Sequence, residues 1–139
     1  MDTRKLIILI VAALLALVLS ITVVMKIRTT AAMNKYNDGR FSAGTLGVTS
    51  LQHKVELYVF DVGSLPASID DFISAPAGVK GWQGPYATPH DLVDPFGHRF
   101  VYKAPGDHGA FDIVFLGQDG KPGGVHNDAD FGNWEQKTK

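Results

Sequence analysis

An uninterrupted apolar run near the N-terminus is the strongest pattern in the chain. It extends over Leu6–Met25 and contains no charged residue, proline or glycine. A helix rises about 1.5 Å per residue, so this run spans roughly 30 Å, the thickness of the hydrocarbon core of a bilayer. A cleaved signal peptide has a shorter apolar core followed by an A-x-A-like site, and no clean site of that kind follows here. The pattern predicts one uncleaved transmembrane anchor rather than a buried core helix or a cleaved signal.

The anchor divides the chain into a short tail, a stalk and a domain. Residues 1–5 are predicted to be a cytoplasmic tail that is too short to fold, residues 26–47 a stalk, and residues 48–139 a domain beyond the membrane. In the stalk, Asn37-Asp38-Gly39 is a turn signal, and Gly44 and Gly47 weaken any helix. The stalk is therefore expected to be either a frayed continuation of the anchor helix or a hinge.

The domain opens with helical patterns. Val48, Leu51, Val55 and Tyr58 recur at helical spacing, which predicts a helix over 48–59 that ends near Asp61–Gly63. A second, short helix is predicted over 68–74, because a serine at 68 and an aspartate at 71 fit a capping box.

The second half of the domain is predicted to hold a hairpin and two ordered loops. Strand signals at 100–102 and 111–115 flank a turn-forming segment at 105–109, which predicts an antiparallel pair. Residues 75–98 are rich in proline and glycine but carry Trp82, Tyr86 and Phe96, so an ordered loop pinned by aromatic rings is expected. Residues 117–134 are polar and end in Phe131 and Trp134, which predicts a loop that folds back onto the domain.

Composition and charge exclude several classes of function. The net charge of −1 and the absence of a basic patch give nucleic-acid binding little support. The chain has no cysteine, so disulfides, thiol catalysis and cysteine zinc sites are excluded. No nucleophile motif, phosphate loop or histidine metal pair occurs, and the chain is therefore not expected to be an enzyme.

The last loop is the candidate metal site. Its carboxylates are Asp119, Asp128 and Asp130, and Ca²⁺ prefers such oxygens together with backbone carbonyls. The alternative is a solvated polar loop with aspartates at its turns. The EF-hand pattern fails, because Gly132 and Asn133 follow Asp130 and the chain ends before a twelfth-position glutamate.

From about Leu51 to Trp134 the sequence resembles the major pseudopilins of bacterial type II secretion systems, within the type IV pilin-like superfamily. Each matching motif is weak by itself, but their order and spacing together are specific. The motifs are YVFDVGSLP (58–66), SAPAG (74–78), GWQGPY (81–86), DPFG (94–97), PGDHG (105–109), DIVFLGQDG (112–120) and DADFGNW (128–134).

The resemblance implies an α+β, type IV pilin-like fold. In that fold a long N-terminal helix, its first half transmembrane, packs on a small antiparallel β-sheet with an ordered C-terminal calcium loop. It implies a structural subunit of the secretion pseudopilus, in the bacterial inner membrane with the domain in the periplasm, that self-assembles through its apolar helix and helps to drive export across the outer membrane. Its implied partners are other copies, minor pseudopilins, the inner-membrane assembly platform and the lipid bilayer. One structural Ca²⁺ is implied, with ligands from Leu116, Gln118, Asp119, Val125, Asp128 and Asp130.

The N-terminus departs from the family pattern. Family members carry a prepilin peptidase motif, Gly-Phe followed by a glutamate, and here no glycine precedes Gly39 and the glutamate position falls near Ala13. The sequence therefore lacks the motif for cleavage, N-terminal methylation and glutamate-guided docking. The second interpretation is a permanently anchored single-pass protein that uses a pseudopilin-like domain as a binding or regulatory module and does not polymerise.

Overall fold

The structure is a computed structural model that describes Asp2–Glu135. Met1 and residues 136–139, which belong to the predicted tail and the predicted domain, lie outside this range. The longest element is helix α1, Thr3–Val62. The predicted tail is therefore helical from Thr3, and the carbonyl oxygen of Asp2 accepts hydrogen bonds from the amides of Lys5 (2.9 Å) and Leu6 (3.1 Å).

The described residues form two units, one up to Tyr36 and one from Asn37 onward. The apolar run Leu6–Met25 lies on α1 in the first unit, and its large side chains are exposed. Within the described range, α1 is the one helix long and apolar enough to cross a membrane. An isolated helix that is apolar on all sides matches what the sequence predicts for an anchor.

The second unit is built around the last part of α1. One stripe of the helix is buried, at the alternating three- and four-residue spacing that brings side chains to one face. This inner stripe consists of Gly44, Val48, Leu51, Val55 and Tyr58. Its last four members are the residues whose spacing predicts the helix over 48–59.

Helix α1 runs unbroken through the predicted stalk, residues 26–47. Of the two expected arrangements, the structure shows a continuation of the N-terminal helix and no hinge. Gly44 and Gly47, expected to weaken the helix, are instead contact points for aromatic rings. A Cβ on Gly44 would lie 2.5 Å from the ring of Phe115, and a Cβ on Gly47 would collide with the ring of Phe100. The packing of these rings offsets the poor helix propensity of glycine.

The end of α1 agrees with the sequence. Gly63 has a φ of +81°, the left-handed conformation of a C-terminal cap, and its amide donates to the carbonyl of Val59 (2.8 Å). The predicted second helix is a single 3₁₀ turn, Ile69–Phe72, which is shorter than the predicted 68–74. Its capping box is confirmed. The amide of Ser68 donates to the carboxylate of Asp71 (3.1 Å), and Ser68 Oγ accepts from the backbone amide of Asp71.

The sheet has three antiparallel strands in the order β1 (Val101–Lys103), β2 (Asp112–Phe115) and β3 (Phe131–Gly132). The first two strands are the predicted hairpin, with Tyr102 opposite Ile113. The third strand was not predicted. It is only two residues long and pairs Phe131 with Phe115, too short to show a period in the sequence.

The long loop over 75–98 is held by its aromatic side chains, as the sequence predicts. Trp82 Nε1 donates to the carbonyl of Asp71 (2.8 Å), and Tyr86 Oη donates to the carboxylate of Asp61 (2.7 Å). The ring of Phe96 lies under the guanidinium of Arg40 at 4.3 Å. A 3₁₀ turn at Pro89–Leu92, which the sequence did not indicate, forms within this loop.

These elements close one hydrophobic core between the inner stripe, the sheet and the loop. The buried apolar residues come from the inner stripe, the 3₁₀ turn at Ile69–Phe72, the loop over 75–98, the residue before β1, and β2. They are Val48, Leu51, Val55, Tyr58, Ile69, Phe72, Ala87, Leu92, Phe100, Ile113 and Phe115.

Candidate functional site

The predicted metal loop is held in shape by glycines that let its two arms approach closely. Gly117 (φ +65°) and Gly124 (φ +96°) both lie against the backbone of Asp128. A Cβ on Gly117 would stand 2.5 Å from the carbonyl carbon of Asp128, and one on Gly124 would collide with its carbonyl oxygen. Only glycine allows both the left-handed conformation and the close approach.

Backbone hydrogen bonds cross the loop at its neck. The amide of Gln118 donates to the carbonyl of Asn127 (2.6 Å), and the amide of Asp128 donates to that of Val125 (3.1 Å). The carbonyls of Asn127 and Val125 thus already accept bonds within the loop. A carbonyl oxygen has two lone pairs, so each retains one site for a further donor or a cation.

The two carboxylate oxygens of Asp130 differ in their hydrogen bonding. Its Oδ2 accepts a hydrogen bond from the amide of Gly123 (2.8 Å), whereas its Oδ1 is buried without a hydrogen-bond partner. A buried carboxylate oxygen without a partner costs free energy unless a donor or a cation satisfies it. This oxygen is the observation in the loop that points to a bound cation.

The other predicted ligands are spread over the same loop. The carboxylate of Asp119 is exposed and its Oδ1 accepts from the amide of Lys121 (3.1 Å). Leu116, Gln118 and Asp128 are partly buried, and Val125 is exposed. Across Asp2–Glu135, no three His, Cys, Asp or Glu side chains gather closely enough to hold a metal. In this arrangement a cation would depend on backbone carbonyls and on carboxylates that move toward it, a ligand set that suits Ca²⁺.

Three residues outside the predicted ligand set hold the loop on the domain. Asn127 Nδ2 donates to Asp38 Oδ1 on α1 (3.0 Å), across 89 positions of sequence. The ring of His98 lies against Gly120, where a Cβ would stand 2.6 Å from it. Asp38 was predicted to belong to a turn, but it lies within α1 and accepts this hydrogen bond instead. The sequence did not indicate that either Asp38 or His98 contacts the loop.

His98 belongs to a turn that a buried carboxylate closes. Oδ1 of Asp94 accepts from the amides of Phe96 (2.7 Å) and His98 (3.0 Å), which shapes the DPFG segment. The imidazole Nδ1 of His98 lies 3.6 Å from Asp94 Oδ2. The turn therefore aims the imidazole at the loop that holds the candidate site.

The last described residues fold back onto the hairpin, as Phe131 and Trp134 predict. The ring of Trp134 stacks on that of His108, with centroids 3.6 Å apart and planes 12° apart. His108 Nδ1 lies 3.1 Å from Oδ2 of the buried Asp112. Burial by itself would raise the pKa of Asp112, but its hydrogen bonds with His108 and with the amides of Asp107 and His108 outweigh burial and hold that pKa below its ordinary value.

Asn133 is part of the sheet rather than of the candidate site. Its Oδ1 accepts from the amide of Ile113 (2.9 Å), and its Nδ2 donates to the carbonyl of Phe111 (3.3 Å). The side chain thus continues the pairing of β2 where β3 has ended. Although Asn133 lies close to the loop aspartates in the sequence, its side chain stabilises the sheet.

Comparisons with known proteins bear on what this domain is. A family model described as type II secretion system (T2SS), protein G, matches residues 31–134. A type II secretion system core protein G of Xanthomonas campestris pv. campestris is 44% identical over 92 residues, which cover 66% of this chain and 64% of that protein. The corresponding protein of Pseudomonas aeruginosa is 30% identical over 109 residues, which cover 74% of this chain and 77% of the relative.

A solved structure shares the fold. The crystal structure of the major pseudopilin from the type 2 secretion system of enterohaemorrhagic Escherichia coli matches with a TM-score of 0.62 at 20% identity, covering 76% of this chain and 92% of that one. This match confirms the predicted pilin-like arrangement of a long helix packed on a small antiparallel sheet. With the family match extending over residues 31–134, the chain belongs to the type II secretion system protein G family.

Proposed function

We propose that this chain is a structural subunit of a secretion pseudopilus, and that it self-assembles through its apolar N-terminal helix to help drive protein export across the outer membrane. The observation that carries the proposal is the exposed apolar run Leu6–Met25 on the same helix that organises a domain of the protein G family. Such a surface must be covered by lipid or by other helices. On assembly, contacts between the apolar run and lipid would be replaced by contacts with the helices of other subunits.

The family is named for a core protein of a secretion system, which supports a structural role. The chain's task is then mechanical: to hold its neighbours and to keep a folded domain in place. Family membership favours this over a permanently anchored binding module. The proposed location is the bacterial inner membrane, with the domain in the periplasm. The proposed partners are other copies, minor pseudopilins and the inner-membrane assembly platform.

We also propose one structural Ca²⁺ in the C-terminal loop. The unpartnered, buried Oδ1 of Asp130 fits a cation, and Asp119 and Asp128 would supply further carboxylate oxygen. The backbone carbonyls that would complete the shell belong to Leu116, Gln118 and Val125. The ion would supply positive charge to a loop that has few apolar contacts of its own and would so stabilise it.

The test is secretion and filament formation in cells that carry the chain with its own secretion machinery. We expect deletion of the chain to retain exoproteins in the periplasm, and overproduction to give filaments visible by electron microscopy. A Leu17→Lys substitution places a charge in the middle of the apolar run and should abolish both. The matched control, Thr29→Lys, lies beyond the run and should keep both. Normal secretion without the chain would overturn the proposal.

A further inference from the structure

Two basic residues, Lys26 and Arg28, follow directly on the apolar run of α1, and both are exposed. Lys35 is the next charged residue along the chain, and the first acidic residue after the run is Asp38. Among the residues that the structure describes, none forms an ion pair with Lys26, Arg28 or Lys35. The positive charge of this segment is therefore left for a partner outside the chain.

Lys26 and Arg28 lie at the depth of the lipid headgroups when the apolar run fills the hydrocarbon core. A helix rises about 1.5 Å per residue, so Lys26 lies about 1.5 Å beyond Met25 along the axis and Arg28 about 4.5 Å beyond it. The headgroup region of each leaflet is roughly 5–7 Å thick. Lys35 lies about 15 Å beyond Met25, which is above the headgroups. Lys26 and Arg28 are thus the pair that can contact headgroup phosphates.

The two cations lie on opposite sides of α1. Each residue of a helix turns the chain by about 100°, so Lys26 and Arg28 are separated by about 200° around the axis. A free phosphate ion, or an acidic patch on a protein that packs against one side of the helix, can reach one of the two cations but not both. A layer of anions that surrounds the helix reaches both, and the headgroups of a bilayer form such a layer.

A shallow groove beside Lys26 has the mixed polarity of a phospholipid. It runs along one face of α1 across the end of the apolar run and is lined by Val23, Lys26, Ile27, Thr30, Ala31 and Asn34. Val23 is 49% exposed and Ile27 is 63% exposed, so the groove is open. Its apolar members suit the first carbons of an acyl chain, while the ammonium group of Lys26 suits the phosphate at the end of that chain.

The hydroxyl groups of this segment are already used within the helix. Thr29 Oγ1 and Thr30 Oγ1 both donate to the carbonyl of Lys26, each at 2.9 Å. A hydroxyl has a single proton, so neither threonine has a donor left for a headgroup. Charge, rather than hydrogen bonding from hydroxyls, is therefore what this segment offers for discriminating between lipids, and positive charge favours a headgroup with net negative charge.

We infer that Lys26 and Arg28 bind anionic phospholipids, in the leaflet on the side of the membrane that holds the domain. Each cation contacts headgroup phosphates on its own side of α1, and the groove beside Lys26 holds the glycerol end of one lipid. The inference rests on the membrane location in the proposed function and adds the class of lipid and the residues that select it. Zwitterionic phospholipids carry the same phosphate but a compensating positive charge, so they are the less favoured neighbours.

The experiment compares two photoactivatable phospholipids that carry a diazirine near the glycerol, one with a phosphatidylglycerol headgroup and one with a phosphatidylcholine headgroup. The full chain is reconstituted in phosphatidylcholine vesicles that contain either probe at the same small fraction, then irradiated, and adducts on residues 23–34 are quantified by mass spectrometry. We expect at least about tenfold more adduct from phosphatidylglycerol, since each basic residue near an anionic surface contributes roughly fivefold. Both leaflets have the same composition, so the orientation of the chain does not affect the comparison.

A pair of double variants tests the assignment to these two residues. In Lys26→Gln/Arg28→Gln we expect the ratio of the two adducts to fall at least about fivefold, because both charges at headgroup depth are removed. Labelling by the phosphatidylcholine probe reports that this variant is still inserted. The matched control, Lys80→Gln/Lys103→Gln, makes the same change of net charge at two exposed lysines of the domain and should keep the ratio of the unmodified chain.

The outcomes distinguish this inference from the proposed function, because labelling in vesicles requires no filament. Equal adducts from the two probes on the unmodified chain would overturn lipid selection, leaving a protein surface as the partner of the pair, and would not affect self-assembly. An unchanged ratio in Lys26→Gln/Arg28→Gln would overturn the assignment to these residues. A clear preference for phosphatidylglycerol in a chain that forms no filaments would support lipid binding and count against the pseudopilus.

Discussion

The ring of Phe115 on β2 lies directly against Gly44 of α1, where a Cβ would stand 2.5 Å from it. This contact joins the last strand of the hairpin to a helix segment that is poor in helix-forming residues. The helix therefore owes part of its continuity to a ring that comes from 71 positions further along the chain (115 − 44). Packing of this kind commonly stabilises a helix more than its intrinsic propensity does.

Substitution of Gly44 tests that contact. Alanine is the better helix former by about 0.8–1 kcal/mol, yet we expect Gly44→Ala to destabilise the chain by about 1–3 kcal/mol, because the added methyl overpacks the core against Phe115. The measurement is urea unfolding of the full chain in detergent, followed by tryptophan fluorescence.

Gly39 is the matched control for this substitution. It lies on the same helix with open space around its Cβ position, so Gly39→Ala should stabilise the chain by about 0.5–1 kcal/mol. If both alanine variants stabilised the chain, the ring contact at Gly44 would be irrelevant to stability.

Calcium is expected to stabilise the chain through Asp130. At an ion concentration of 100 times the dissociation constant, binding to the folded state alone adds about 2.7 kcal/mol. We expect a higher melting temperature in Ca²⁺ than in chelator, and no such difference in Asp130→Ala. Asp107→Ala removes an exposed carboxylate outside the loop and should keep the calcium response. Identical melting temperatures of the unmodified chain in Ca²⁺ and in chelator would refute the proposed site.

Asp112 is expected to make stability depend on acid pH. Its folded-state pKa is lowered, so its ionised form stabilises the fold above the unfolded value near 3.9, and that contribution is lost as pH falls through the folded pKa. We expect Asp112→Asn to destabilise the chain by about 1–3 kcal/mol at pH 7 through weaker hydrogen bonds to the hairpin turn. The free energies of unfolding of the two proteins should converge below pH 4.

The control for Asp112 is Asp107→Asn, because Asp107 is an exposed carboxylate of the same turn. Its ion pair with Lys103 lies on the surface and contributes about 0–1 kcal/mol. A constant difference between Asp112→Asn and the unmodified chain from pH 7 to pH 2 would show that the charge of Asp112 plays no part.

Asn133 is expected to act as a side-chain extension of the sheet. Asn133→Ala leaves the amide of the buried Ile113 without its acceptor, which should cost about 1–3 kcal/mol in thermal or urea unfolding. Asn133→Asp keeps an oxygen for that amide and loses only the donor to Phe111, so its loss should be smaller. Equal losses in the two variants would contradict this role.

Local patterns in the sequence predicted the elements that local forces build. Because the apolar run is uniform, it indicates the exposed apolar segment of α1 without any knowledge of the domain. The hairpin strands follow from their residue types and the turn between them. The cap at Gly63 and the capping box at Ser68 depend on neighbours within a few positions, so they too were visible.

Contacts between distant positions escaped the same reasoning. The continuity of α1 across Gly44 and Gly47 depends on rings from β2 and from the segment before β1. The strand β3 exists because β2 offers it a partner. The hydrogen bond between Asn127 and Asp38 joins two polar residues that are 89 positions apart. The sequence around neither residue predicts this contact.

The sequence by itself determined that this protein has an apolar N-terminal rod, a small hairpin domain and an aspartate-bearing loop, because each of these is set by side chains within one helical turn or one strand. Only the tertiary structure decided that the helix is unbroken, that one oxygen of Asp130 is buried without a partner, and that Leu57 and Phe60 are left outside the core. These features depend on which surfaces pack together when the chain folds. Whether a residue is buried depends on the segments that pack against it and not on its own chemistry alone.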